Sequence, residues 1–129
     1  MRFNIPVEKF EYNYDDASGI LYKSYFGPVT LEDITSSWEH ALRHKLIPAG
    51  TKRFIVDFRQ AAMNLEIDEH QGIVDFYRNH LEVFGEARVA VLVENPRDMV
   101  LPVLVNTKDE GYHSRPFTTL EGALRWLRS

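Results

Sequence analysis

The sequence predicts an α/β fold: a mostly parallel five-stranded sheet with an antiparallel N-terminal hairpin strand and four helices, in the order β-β-α-β-α-β-α-β-α. Three observations carry that expectation. Residues 53–59, Arg53-Phe54-Ile55-Val56-Asp57-Phe58-Arg59, hold four β-branched or aromatic residues and read as a short buried strand. Residues 87–93 are almost wholly apolar and β-branched, as expected of a strand covered by neighbouring elements. Around these two runs lie segments with helical spacing, bounded by capping residues, Gly or Pro.

Taken in order, residues 3–14 end in an alternation that puts Phe10, Tyr12 and Tyr14 on one face and Lys9, Glu11 and Asn13 on the other. That is the period of a half-exposed strand. Asp15-Asp16-Ala17-Ser18-Gly19 has turn composition, so residues 20–26 should pair back as a hairpin, ended by Gly27-Pro28. Thr30 opens the first helix. Its hydroxyl can accept from the Asp33 amide while the Asp33 carboxylate accepts from the Thr30 amide. Leu31, Ile34, Trp38, Ala41 and Leu42 form the apolar stripe, and Pro48-Ala49-Gly50 stops the helix.

A second helix is expected over about 67–81, with Ile73, Phe76, Tyr77 and Leu81 inward and Gly85 closing the unit. After the strand at 87–93, Asn95 and Pro96 read as a helix cap and first turn. Residues 99–105 are apolar all round and β-branched, which by propensity alone suggests a strand. The preceding cap and the position after a strand assign them to a helix that Pro102 should kink. Residues 115–117 form a last short strand. Thr118 then caps a final helix, paired with Glu121, with Leu120, Ala123, Leu124 and Leu127 facing inward. Right-handed crossovers between adjacent parallel strands place the connecting helices on one face.

The bulk properties exclude several function classes. The 129 residues match one ordinary domain spanning 1–129, able to bury roughly two thirds of the unfolded surface. Apolar residues make up 44%, too many for a disordered chain. A net charge of −4, with acids and bases intermixed, argues against nucleic acid as a partner. With no cysteine there is no disulfide, thiol chemistry or cysteine-ligated zinc. No signal-peptide core occurs near the start, and no apolar run reaches the roughly 20 residues of a membrane span, so a cytoplasmic protein is expected.

The residues Tyr25-Phe26-Gly27-Pro28-Val29-Thr30 with Trp38, the strand Phe54-Ile55-Val56-Asp57-Phe58-Arg59, Glu94-Asn95-Pro96, and Gly111-Tyr112 through Phe117-Thr118 carry a resemblance. In this order they resemble the STAS (SpoIIAA-like) fold of anti-sigma-factor antagonists. More narrowly, they resemble small bacterial STAS-like proteins related to the lipid-binding Sec14 class. The likeness spans about 20–127. It implies a binding module rather than an enzyme. Regulatory members carry a phosphorylatable serine or threonine shortly after the strand equivalent to 54–58. Here residues 59–68 contain no hydroxyl side chain, so that switch is not expected.

Candidate sites follow from topology. Asp57, Arg59, Glu94, Asn95 and Arg97 should gather at the rim where strands end and helices begin, a common ligand position in open α/β sheets. The competing arrangement has Asp57 accepting loop N–H bonds and Arg59 in a rim ion pair. Phe26, Trp38, Phe58 and Met99 could line a pocket for a small apolar ligand, with Arg59 or Arg97 holding an anionic group. Met99, Leu101 and Leu104 are the candidate interface of a homodimer, because a helix apolar all round has a second face to cover. Burial of that face by neighbouring helices competes with a partner or a ligand. His40 and His44 have metal-compatible spacing but lack a third ligand. His113 and Ser114 point to opposite faces of a strand. No catalytic residue, metal or cofactor is expected. The reading is a binding module, with a carrier of a lipid-like or anionic ligand as the alternative.

Overall fold

Residues 9–129 are described by the computed structural model. The hairpin joins β1 (Phe10–Asp15) to β2 (Ile20–Val29), antiparallel from Phe10↔Tyr25 to Asp15↔Ile20. Its turn closes on the Gly19 amide, which donates to the Asp15 carbonyl at 2.8 Å with Gly19 at φ +71°. The expected strand residues 3–8 lie outside the described residues.

β2 does not stop at Gly27-Pro28. It runs on to Val29, paired in parallel with β3 (Arg53–Met63) as far as Val29↔Met63. Gly27 takes φ +70°, which lets the strand continue. Pro28 lies near the strand's end, where a missing donor is tolerated. β3 is also longer than expected, because residues 59–63 stay extended beside β2 instead of looping away. Between Ser24↔Asp57 and Phe26↔Gln60, β3 holds one more residue than β2. This bulge shifts the alternation, so Phe54, Val56, Phe58, Ala61 and Met63 all serve the same core.

α1 (Leu31–Arg43) starts as expected: the Thr30 hydroxyl accepts from the Asp33 amide at 3.1 Å and Asp33 Oδ2 accepts from the Thr30 amide at 2.9 Å. It ends before the Pro48 stop. Lys45 takes φ +55°, and the Leu46 amide donates to the Ala41 carbonyl at 2.9 Å, a Schellman-type closure. The helix expected over 67–81 is broken into a 3₁₀ turn (Ile67–Glu69), α2 (His70–Arg78) and α3 (Leu81–Phe84). His80 leaves helical geometry, and its ring nitrogen Nδ1 meets the Phe76 carbonyl at 2.8 Å. The break resets the helical phase, so Leu81 is exposed and Phe84 takes the inward position. Among the described residues there are therefore five α-helices rather than four.

β4 (Arg88–Leu92) leads to a 3₁₀ turn (Pro96–Met99) and α4 (Val100–Thr107). Asn95 holds the cap position but makes no side-chain cap bond; its carbonyl accepts from the Asp98 amide at 2.9 Å. Pro102 falls in the first turn of α4, where no intrahelical partner awaits its N–H. The change of helix geometry lies just before it, between the 3₁₀ turn and α4, in place of the expected kink. β5 (His113–Phe117) is followed by α5 (Leu120–Arg128). Thr119, not Thr118, caps α5, accepting from the Gly122 amide at 3.1 Å. With glycine at the third position, no reciprocal side-chain bond is possible.

The sheet order is β1-β2-β3-β4-β5, with every pair after the hairpin parallel. The larger core lies on one face, where Trp38 of α1, Phe76 and Tyr77 of α2 and Phe84 of α3 pack on Tyr25, Phe54 and Val89. The crossover helices share this face, as the handedness rule requires. α5 is not a crossover. It covers the other face through Ala123 and Leu127, which join Ile20, Ile55, Ala90 and Leu92.

Candidate functional site

The rim residues separate into two places. Asp57 and Arg59 meet at the bulge of β3: Asp57 Oδ1 accepts from the Arg59 amide at 2.9 Å and from its Nε at 3.0 Å, and Oδ2 accepts from Nη2 at 2.9 Å. One carboxylate thus satisfies the free amide of the bulge and a bidentate ion pair. The Asp57 hydrogen bond is the largest influence raising the Arg59 pKa, with Glu94 adding to it. His113 is remote from this pair, opposite Arg88, whereas Asp57 is opposite Leu92. Phe26, by strand alternation, lies on the face away from Tyr25 and Trp38.

Asn95 caps the turn before α4 and Arg97 lies within it. Arg97 lines a groove of about 240 Å³ with Met63, Leu65, Ile67, Asp98, Val100 and Leu101. Its apolar lip is open to solvent: Ile67 is 62% exposed, Val100 48%, and Val103, one turn further along α4, 43%. Of the residues singled out on this helix, Leu101 turns inward at 9% exposure, and Met99 and Leu104 are half-buried. The exposed stripe is therefore Val100 and Val103, one helical face round from the expected set.

Beneath α4 lies an apolar cavity of about 40 Å³, lined by residues that include Trp38, Phe58, Tyr77, Leu101, Val105 and Ser114. Of the four residues proposed to line a pocket, Trp38 and Phe58 line this cavity; Met99 and Phe26 do not. Ser114 is held by Asp109, whose carboxylate accepts from the Ser114 amide at 2.6 Å and hydroxyl at 2.7 Å. Burial raises the Asp109 pKa, against those bonds. The Trp38 Nε1 and Tyr112 hydroxyl are buried with no hydrogen-bond partner. The volume decides what this cavity can hold. Sites for drug-sized ligands are roughly 300–1,000 Å³, so a lipid chain does not fit as the side chains stand.

Sequence reasoning missed the most unusual group, Lys23. It is 0% exposed, at the centre of β2 on the face that meets α1. Its Nζ donates to Ser37 Oγ at 2.5 Å and lies 3.7 Å from the Trp38 ring centre, 4.7 Å from Tyr25, 5.3 Å from Tyr12 and 6.0 Å from Phe10. Ser37 gives its proton to the Ile34 carbonyl at 2.8 Å, so its oxygen accepts from both Lys23 and the Tyr25 hydroxyl, the latter at 2.8 Å. Burial drives the Lys23 pKa well below that of an ordinary lysine. The ring faces oppose burial, because they attract an ammonium. A hairpin register read from the turn would have placed Lys23 opposite Tyr12.

His40 and His44 lie 4.4 Å apart between ring centres with their planes tilted by 50°, and among the described residues no group of three metal-ligating side chains occurs. No helix among the described residues is long and apolar enough to cross a membrane.

A sheet in sequence order, entered by an antiparallel hairpin, with crossover helices on one face and the last helix on the other, is a SpoIIAA-like α/β fold. Comparison with solved structures bears this out. An uncharacterized protein of the DUF3478 family with a SpoIIAA-like fold, from Shewanella loihica PV-4, superposes with a TM-score of 0.63 at 17% identity, over 98% of this chain and 99% of that one. An anti-sigma factor antagonist from Mycobacterium paratuberculosis gives 0.60 at 16% identity, over 98% and 100%. The anti-sigma factor antagonist SpoIIAA in its unphosphorylated form gives 0.53 at 15%, over 93% and 98%. No protein-family model and no curated protein sequence matches the chain.

Proposed function

We propose that the protein is a non-enzymatic regulatory binding module that acts as a homodimer, paired through the groove between the Ile67–Glu69 turn and α4. The exposed apolar lip of Ile67, Val100 and Val103 carries this reading, since three large apolar side chains in one open strip favour a covering partner. The charges beside the lip favour a second copy. Arg97 stands on the α4 side, and the exposed Glu66 and Asp68 flank Ile67 on the other. A two-fold axis through the groove would set Arg97 of each copy against the acids of the other. The fold shared with anti-sigma factor antagonists supports regulation by binding. The loss of hydroxyl residues from 59–68 sets it apart from a kinase-switched antagonist.

Sedimentation equilibrium tests the reading. Arg97→Asp and Asp68→Arg should each weaken the dimer, and the double variant should restore it. Three variants that sediment like the parent protein would refute the pairing. The carrier reading has less support, because the cavity of about 40 Å³ is an order of magnitude too small for a lipid chain.

A further inference from the structure

We propose that Lys23 is a proton-binding switch set between the hairpin and α1, and that its protonation loosens the Trp38 wall of the cavity. The geometry is that of a cage with one polar contact. Three N–H donors of an ammonium would meet one acceptor, Ser37 Oγ, and otherwise the faces of Trp38, Tyr25, Tyr12 and Phe10. A neutral amine leaves fewer donors unmet and needs no counter-charge.

Among the described residues, the groups around it offer no counter-ion. From β1 the Tyr12 hydroxyl turns to the Ser37 carbonyl at 2.6 Å, and from β2 the Tyr25 hydroxyl turns to Ser37 Oγ. The β3 residue beside Lys23 is Val56. On α1, Asp33 is committed to the Thr30 amide and to Lys9, at 2.9 and 3.2 Å, and His40 packs on Phe10 at 5.6 Å between ring centres. Behind Trp38, Tyr77 of α2 packs edge-to-face at 6.5 Å between ring centres. Charging Lys23 therefore asks α1 or the hairpin to move until water reaches the amine. Trp38 stands at the boundary, with one face over Lys23 and the ring lining the cavity. The four ring faces attract an ammonium and so offset part of the cost of burying it.

The test uses the whole chain with isotopically labelled lysines, and Trp126→Phe so that Trp38 is the single emitter. By nuclear magnetic resonance, the lysine signal absent from Lys23→Met should titrate well below the other lysines. Over the same pH interval Trp38 emission should move to longer wavelength as the pH falls. The emission change should vanish in Lys23→Met. A Lys23 signal that titrates with the exposed lysines would overturn the proposal. So would Trp38 emission that ignores the Lys23 titration, or that shifts equally in Lys23→Met.

Discussion

The Lys23 amine lies 3.7 Å from the centre of the Trp38 ring, and that same indole forms a wall of the apolar cavity under α4. A titratable group and an empty space thus share one side chain. The contact joins the hairpin, α1 and the α4 side of the core in a single packing unit.

Stability should depend on pH through this contact. A lysine with a lowered folded-state pKa binds its proton more weakly in the native state than in the unfolded chain. Its unfavourable effect is absent above the ordinary lysine value of about 10.4 and grows as the pH falls to the folded-state value. Between those limits stability should rise with pH by at most about 1.4 kcal/mol per unit. Lys23→Met should remove that rise and increase stability at neutral pH. Urea unfolding of both proteins from pH 6 to about 10 checks this, and parallel pH profiles would contradict it.

The helix start makes a sharper local prediction. Thr30→Ala leaves the Asp33 amide without its acceptor and should cost about 1 kcal/mol. Asp33→Ala removes the reciprocal bond and the Lys9 contact. Because the two side chains act as one motif, the double variant should cost less than the sum, as measured by denaturant midpoints.

At the bulge, Asp57 and Arg59 are unequal partners. Asp57→Ala frees the Arg59 amide as well as the guanidinium and should cost roughly 1–2 kcal/mol. Arg59→Ala loses a partly exposed ion pair and should cost under about 1 kcal/mol. Equal losses would mean that the ion pair, not the backbone bond, holds the bulge.

The cavity should accept one more methyl group. Val91→Ile adds a methyl group next to about 40 Å³ of apolar space and should stabilise the fold by up to about 0.8 kcal/mol. A loss of stability would show that the space cannot be reached from β4.

Much of this fold was legible in the sequence because its signals are local. The alternation of Phe10 and Tyr12, the Thr30–Asp33 capping pair and the apolar run at Arg88–Leu92 each act within a few residues. The misreadings arose where distant contacts decide. Residues 59–63 look like a loop until β2 pairs with them, and Leu81 looks inward until His80 breaks the helix. Leu101 and Val100 exchange roles because an apolar helix carries no internal mark of which side meets the sheet. Lys23 was missed for a statistical reason: lysine is almost never fully buried, so its default place is in water. Only the ring of aromatic residues brought together by the hairpin and α1 overturns that default.

Native mass spectrometry of the purified protein beside Val103→Lys tests the central claim most directly. The account predicts a dimer with no added mass for the parent protein and a folded monomer for the variant, because a lysine beside Val100 on the exposed face of α4 opposes its covering. A parent protein that is monomeric at every concentration would contradict it, as would added mass that is lost on denaturation. The first would remove the homodimer, and the second would put a retained ligand in its place.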